Sequence, residues 1–431
     1  MTADAVDDDH RSAHAMSSVI VTNDVEVRRP AWFTVVLLCS AAVFIAYIDR
    51  TNISVASIAM KEQFHWTETT KGFVLSSFFI GYLILQIASG TLANKYGGKI
   101  VLGVAVVWWS LFTILTPPAA FLSFPALIAA RIALGLGEAA VFPASINMIG
   151  RWVPAAKRSR AVAICISGLS LGTVVSLPLT GWLVREHGWP SPFYVFGVVG
   201  LVWAGIWFLR VGSGRSAELE AEAPITRIAI PWGRILRLAP VWAIFACHFA
   251  NNWMLYLLLA WLPSYFKSTF GVSLASAGLL SAAPWLTSFV MANLSGVAAD
   301  RMLAAGRSAG FVRKLLQTVG GGGAALILLT LPHVSTASTG VIVMCCAAGM
   351  LGLCQAAFPA NGFDIAPRYA DVIWGISNTF ATIPGIIGVA TTGWLVDRTG
   401  SYNTPFIVTA GIGLTATVIY LIFGSGSRHI E

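Results

Sequence analysis

Two acids and two bases stand where this sequence otherwise carries almost no charge. Asp49 and Arg50 interrupt "VVLLCSAAVFIAYIDRTNISVASIAM", and Arg131 and Glu138 interrupt "LIAARIALGLGEAAVFPASINMIG". An ionised group at the middle of a bilayer costs at least about 3 kcal/mol, so such groups are expected to face a cavity or one another. Arg131 and Glu138 are seven residues, about two helical turns, apart and share one helix face. A guanidinium offers a planar fork of donors to a carboxylate, and a carboxyl shielded from water responds to nearby charge by taking up or releasing a proton. The four therefore read as an anion clamp, Arg50, with Asp49 and Glu138 as proton-coupling groups and Arg131 as the partner of Glu138. The competing reading is a buried ion-pair network that only orients helices, a weak stabiliser because desolvation offsets the attraction.

The rest of the chain has to supply the setting. Of 431 residues, 56% are hydrophobic and 11% charged, and the mean hydropathy is +0.76. Soluble domains carry roughly a quarter charged residues, so this is a polytopic membrane protein. Twelve apolar tracts are long enough to cross a bilayer, at about 31–59, 71–93, 100–117, 121–149, 160–184, 192–211, 238–266, 274–299, 313–332, 338–361, 371–396 and 404–424. The tails and even-numbered loops hold 20 of the 27 Lys and Arg; five, including Lys61 and Lys71, fall in the odd-numbered loops, and Arg50 and Arg131 are the remaining two. That bias places both termini in the cytoplasm. The net charge of +8 thus reports topology and argues against a nucleic-acid partner. The six cysteines all fall in apolar tracts and read as small hydrophobes. The seven His are scattered, so neither a metal site nor another cofactor is expected.

The organisation expected is a disordered cytoplasmic tail over 1–29, a six-helix bundle over 30–211, a cytoplasmic linker over 212–237, a second six-helix bundle over 238–425 and a short tail over 426–431. The halves repeat. "GLGEAAVFPA" at 135–144 returns as "GLCQAAFPA" at 352–360, and "GWLVREHG" at 181–188 returns as "GWLVDRTG" at 393–400. Both pairs keep their span number plus six, the mark of transporters whose halves enclose a site near mid-membrane. Gln355 stands where the first half has Glu138, so the titratable chemistry is confined to that half.

Polar residues on other spans extend the candidate site: Tyr47 and Asn52 beside the charged pair, Tyr82 and Gln86 on span two, Asn252 and Tyr256 on span seven, and Asn378 on span eleven. Hydroxyls and amides suit a polyhydroxylated or carboxylated ligand, although they also join helices to one another. Prolines within spans, among them Pro143, Pro359 and Pro384, are tolerated in bundles and permit bending.

Three stretches, "YIDRTNISVA", "GTLANKYGGK" and "RIALGLGEAAVFPASINMIGRW", resemble the major facilitator superfamily, and within it the anion:cation symporter family. The C-terminal half, with "HFANNWMLYLLLAWLPSYF" and "DIAPRYADVIWGISNT", is similar to the branch of sialin, the vesicular glutamate transporters and plastid phosphate and ascorbate carriers. Bacterial hexuronate and galactonate importers share the N-terminal motifs. The resemblance implies an all-α fold of twelve transmembrane helices in two pseudo-symmetric bundles. It also implies alternating access and coupled transport of an organic anion, a sugar acid or other monocarboxylate by proton symport, with sodium as the other coupling ion. It assigns the substrate carboxylate to Arg50, coupling to Asp49, Glu138 and Arg131, and sugar-acid contacts to Tyr82 and Asn378. A gating loop is implied at Gly90, Asn94, Lys95, Gly98 and Lys99, with Asp300 and Arg301 as the second-half counterpart. The family places an Asp where this chain has Asn94, and glutamate carriers place an Arg where it has Asn251. A monomer in a bacterial inner membrane, contacting lipid and a small anion, is the expected setting. Anion export or exchange, cation-coupled phosphate transport, multidrug/proton antiport and a non-transporting sensor are the other readings; an enzyme is not expected, because no nucleophile–base pair or phosphate loop is present.

Overall fold

A computed structural model describes residues 31–212 and 230–430. The expected N-terminal tail, residues 213–229 of the expected linker and Glu431 lie outside the described residues. Among those described, every regular element is helical. The spans are α1 (Trp32–Phe64), α2 (Glu68–Tyr96), α3 (Gly98–Leu122), α4 (Phe124–Trp152), α5 (Ala155–His187), α6 (Ser191–Arg210), α7 (Ala239–Phe270), α8 (Leu274–Ala304), α9 (Ala309–His333), α10 (Ala337–Ile365), α11 (Pro367–Thr399) and α12 (Asn403–Phe423). Eleven are long and apolar enough to cross a bilayer as single helices; α2 does so as two pieces, Glu68–Gln86 and Ala88–Tyr96, bent by 51°. Helices dominate because backbone groups in hydrocarbon must be satisfied within their own segment. Side-chain caps start several of them: Thr67 before α2, Ser123 before α4, Ser273 before α8, Ser308 before α9 and Thr336 before α10 each accept a backbone N–H three residues on.

The sequence repeat has a packing counterpart. Within the first half α1 lies on α5, α2 on α4 and α3 on α6; within the second, α7 lies on α11, α8 on α10 and α9 on α12. Between the halves, α2 meets α11 and α5 meets α8. Each contact maps onto another when six is added to the span numbers, as expected of two bundles related by pseudo-symmetry. In lipid there is little hydrophobic drive for helices to associate, so close approach rests on small residues. Gly81 of α2 and Gly135 of α4 face the backbones of α4 and α2 so closely that a Cβ on either would collide with a carbonyl oxygen, Ile132 O or Phe78 O.

The "FPA" repeat breaks both of its spans. In α4 the helix Phe124–Glu138 ends and resumes at Val141; in α10 the helix Ala337–Leu353 passes through a 3₁₀ turn at Cys354–Ala356 before resuming at Phe358. Proline lacks the N–H that would bond the carbonyl four residues back and clashes with that carbonyl. For Pro143 that residue is Ala139, and the Ser89 hydroxyl of α2 donates to the freed Ala139 oxygen at 3.2 Å. Glu138 is thereby set at the end of a half-helix in mid-span.

The two faces of the protein differ. The face that holds the start of α1 and the end of α12 is here the termini face; on the opposite one, the far face, the bundles are tied together. Asp397 at the end of α11 accepts the backbone N–H groups of Glu68 (3.0 Å) and Thr69 (2.7 Å), capping the start of α2 from the other half. A carboxylate suits a helix N-terminus, where free N–H groups and the dipole converge. Lys71 of α2 is 1% exposed. Its Nζ lies 2.5 Å from Glu68 Oε2, donates to Ser264 Oγ of α7 at 3.0 Å, and sits 4.5 Å from the Trp261 ring centre. Lys267 of α7 pairs with Glu62 of α1. Lys71 is therefore not the loop charge expected of it: α2 begins at Glu68, and the other bundle covers its second turn. Towards the termini face, the last polar link between bundles among the described residues is Thr382 Oγ1 to Gln86 Oε1, at 2.9 Å. Among the described residues, the polar ties between the bundles thus gather at the far face.

Removing Asp397 tests this closure. The charge-assisted bonds to Glu68 and Thr69 contribute on the order of 2 kcal/mol together. Spin labels at His65 and Thr399 in Asp397→Ala should show a growing population of longer distances by pulsed electron resonance. An unchanged distance distribution would show that the cap does not hold the face shut.

Candidate functional site

The site is assembled by α1, α2 and α4 and is met from across the bundles by α7 and α11. Arg50 of α1 is 5% exposed. Its Nη2 and Nε donate to Glu138 Oε2 at 2.9 and 3.2 Å, and Nη1 donates to the Tyr47 hydroxyl at 3.5 Å. The guanidinium carbon lies 4.7 Å from the Tyr47 ring centre and 4.8 Å from those of Phe78 and Tyr82. Three aromatic faces around one guanidinium stabilise its charge away from water. Tyr47 precedes Arg50 by three residues and so shares its helix face; Phe78 and Tyr82, one turn apart, reach it because Gly81 and Gly135 let α2 close on α4.

Tyr256 of α7 brings the second bundle to the cluster, its ring 4.4 Å from that of Phe79. Asn252, one turn earlier, donates to the Tyr256 hydroxyl at 3.4 Å and to Ala381 O of α11 at 3.0 Å. Asn378 lies one turn before Thr382, whose hydroxyl donates to its carbonyl. His248, buried on α7, shares a hydrogen bond with Ser377 and stacks on Trp374. Gln355, the second-half counterpart of the wholly buried Glu138, is exposed.

A second polar cluster adjoins the first. Asp49 is wholly buried between α3 and α4, where its interacting neighbours are Glu138, Arg131, Trp109 and Thr113. Nε and Nη1 of Arg131, Oε1 of Glu138 and the entire amide of Asn52 lack a hydrogen-bond partner. Buried polar groups are normally paired, so this many orphans together marks a region built for something besides packing. The Phe78 ring faces both guanidiniums, 4.8 Å from that of Arg50 and 5.6 Å from that of Arg131.

The geometry sorts these partners. Glu138 hydrogen-bonds to Arg50, while Arg131, two turns earlier on the same helix, acts on it through its charge. Asn52, expected beside the charged pair, lies about 200° round the helix from Arg50 and so on the Asp49 side. The remaining candidates divide by location. Tyr47, Arg50, Tyr82, Glu138 and Tyr256 are brought together, with Asn252 adjoining and Asn378 one turn beyond the Thr382–Gln86 link. In the candidate gating loop Asn94 Oδ1 accepts from Asn147, whose own Oδ1 accepts the Gly98 N–H. Lys95 rests over Tyr96, Lys99 lies in the first turn of α3 with its carbonyl accepting the Trp207 indole N–H, and a Cβ on Gly90 would meet nothing. Asp300 and Arg301 are exposed at the end of α8. Glu68, Lys71 and Asp397 form a polar cluster that local sequence marks only faintly. The available signals were a Glu–Lys pair at i, i+3 opening a span, and an acid inside one of the repeats.

Comparison with known proteins places this arrangement. The model of the Major Facilitator Superfamily matches residues 39–389. The chain is 38% identical to "Sodium-dependent phosphate transport protein 1, chloroplastic" of Arabidopsis thaliana, over 93% of this chain and 81% of that protein. It is 37% identical to the "Ascorbate transporter, chloroplastic" of the same plant, over 96% of this chain and 80% of that protein. Among solved structures, a bacterial homolog of the human lysosomal transporter Spinster, inward-facing and unoccupied, superposes with a TM-score of 0.78 at 16% identity, covering 91% of this chain and 97% of that one. That last likeness speaks to the fold alone. From the matched family and relatives that run along nearly its whole length, the chain belongs to the Major Facilitator Superfamily, in its anion:cation symporter branch, and is a multi-pass membrane transporter rather than an enzyme.

Proposed function

We propose that this protein carries a small organic anion, a monocarboxylate of the sugar-acid kind, across the membrane by alternating access in symport with protons. The observation that carries the reading is the Arg50 guanidinium, enclosed by Tyr47, Phe78 and Tyr82 and neutralised by the single carboxylate of Glu138. A substrate carboxylate and Glu138 compete for the same fork of donors. Protonating Glu138 removes the competitor and the negative charge together, so a proton and an anion enter as a neutral pair. Tyr47, Tyr82 and Tyr256 present hydroxyls to the substrate, while Asn252 and Asn378 add amide groups from the second bundle. A site with one clamp cation suits one carboxylate, and Asn251 stands where a second cation would serve a dicarboxylate. Asp49 and Arg131 form the adjoining store of charge that Glu138 meets when it leaves Arg50.

The relatives support a small anion as the cargo. One is named for ascorbate, a sugar-derived monoanion, and another for sodium-dependent phosphate; that second name favours phosphate with sodium coupling as the alternative. Import, export and exchange use the same cycle. A site lined by Arg50 disfavours lipophilic cations, which argues against multidrug antiport. The Lys and Arg bias puts the face opposite the far face on the cytoplasmic side. The relatives whose names state a compartment are chloroplastic, so a bacterial inner membrane rests on the sequence expectation alone.

Uptake of labelled sugar acids into proteoliposomes under an imposed proton gradient tests the coupling. Glu138→Gln should keep anion binding and exchange, lose its pH dependence, and no longer concentrate substrate against a gradient; full gradient-driven uptake in this variant would end the coupling role. Loss of Arg50 alone strands a buried carboxylate, so the clamp is best tested in Arg50→Ala combined with Glu138→Gln. Relative to Glu138→Gln, anion affinity by calorimetry should fall roughly a hundredfold, the effect of losing hydrogen bonds to a charged group. Retained affinity in a well-folded double variant would sink the clamp.

A further inference from the structure

At the termini face of the first bundle, away from the central site, lies a cavity of about 200 Å³. Lys95 and Tyr96 at the end of α2, Lys99 in the first turn of α3, and Arg151 and Trp152 at the end of α4 line it. No carboxylate lines it among the described residues. From the geometry we infer a binding site for a phosphate group, supplied by an anionic phospholipid headgroup or by free phosphate.

The local chain is shaped for this. Gly97 holds a left-handed φ of +84° between α2 and α3, a conformation that costs a residue with a Cβ. It turns the chain within a single residue, so that Lys95 and Lys99 end up on the same cavity. A Cβ on Gly97 would stand 3.7 Å from Arg151 Nη1, which places the guanidinium directly over the turn. Asn147 takes the Gly98 N–H at the start of α3, and the positive end of that helix dipole lies beside Lys95 and Arg151. The loop is braced: Asn147 donates to Asn94 and accepts the Gly98 N–H, and the Trp207 indole of α6 donates to the Lys99 carbonyl at 2.9 Å. Asn94 supplies an amide where the family carries an acid, which keeps the cavity cationic. Tyr96 and Trp152 occupy the level at which α2, α3 and α4 end, where aromatic side chains mark the headgroup region. Clusters of Lys and Arg at that depth attract anionic lipid headgroups.

The test uses the full chain in nanodiscs. In phosphatidylcholine discs doped with phosphatidylglycerol, native mass spectrometry should find phosphatidylglycerol retained on the protein. The Lys95→Ser/Arg151→Ser variant should lose roughly tenfold in that retention with its melting temperature in pure phosphatidylcholine unchanged, and Lys95→Arg/Arg151→Lys should restore it. In pure phosphatidylcholine, inorganic phosphate should raise the melting temperature if free phosphate is the source. That shift must survive Arg50→Ala/Glu138→Gln and vanish in Lys95→Ser/Arg151→Ser. The inference fails if phosphatidylglycerol retention is the same in wild type and pocket variant and phosphate gives no shift, or a shift that only the Arg50 variant abolishes. Because the two sets of variants are separate, failure here leaves the transport reading standing, and failure of the Arg50 clamp leaves this one.

Discussion

The ion pair between Arg50 and Glu138 is the constraint on which the rest depends. A guanidinium and a carboxylate removed from water are together barely favourable, because the cost of stripping hydration nearly matches their attraction. Such a pair is kept stable by its surroundings, here three aromatic rings and two closely packed glycine contacts. The same balance makes it easy to exchange: a second anion of similar basicity can replace Glu138 at little net cost. A site that must bind and release cargo needs an interaction that is strong in either partner's presence and ruinous only when one charge is left alone.

That requirement explains the construction of the first bundle. Proline at position 143 stops the first half of α4 at Glu138, and the Ser89 hydroxyl takes up the carbonyl bond thereby lost. The second bundle repeats the break but offers Gln355, and what it brings to the centre is neutral: Tyr256, with Asn252 adjoining. Charge sits in one bundle and hydrogen-bonding groups in the other, so a ligand spanning both would be gripped by unlike chemistry on its two sides.

Much of this was legible in the sequence. The four intramembrane charges, the twelve spans and the duplicated motifs are visible because apolar length and internal repetition need no knowledge of the third dimension. Which charge meets which was not. Arg131 and Glu138 share a face, but axial distance separates them, and only the approach of α1 to α4 brings Arg50 to the carboxylate. Lys71 was assigned to a loop by span length, whereas its burial depends on α7 and α11 closing over α2. Asp397 was visible within a repeat, yet its partners, the N–H groups of Glu68 and Thr69, lie 329 and 328 residues away in sequence. Local patterns announce residue types; contacts between halves follow from assembly.

Helix α11 joins two of these features in one rod. Near its middle Thr382 touches Gln86, and at its far end Asp397 holds α2. Between them Pro384 removes one rung of the helical ladder. From Pro384 to Asp397 the axis runs about 20 Å, so a swing of roughly 6° at the proline displaces the carboxylate by about 2 Å, enough to break its bonds to α2. A lever of that ratio would let a rearrangement the size of a single hydrogen bond, made beside Thr382, unlock a seal about 20 Å away.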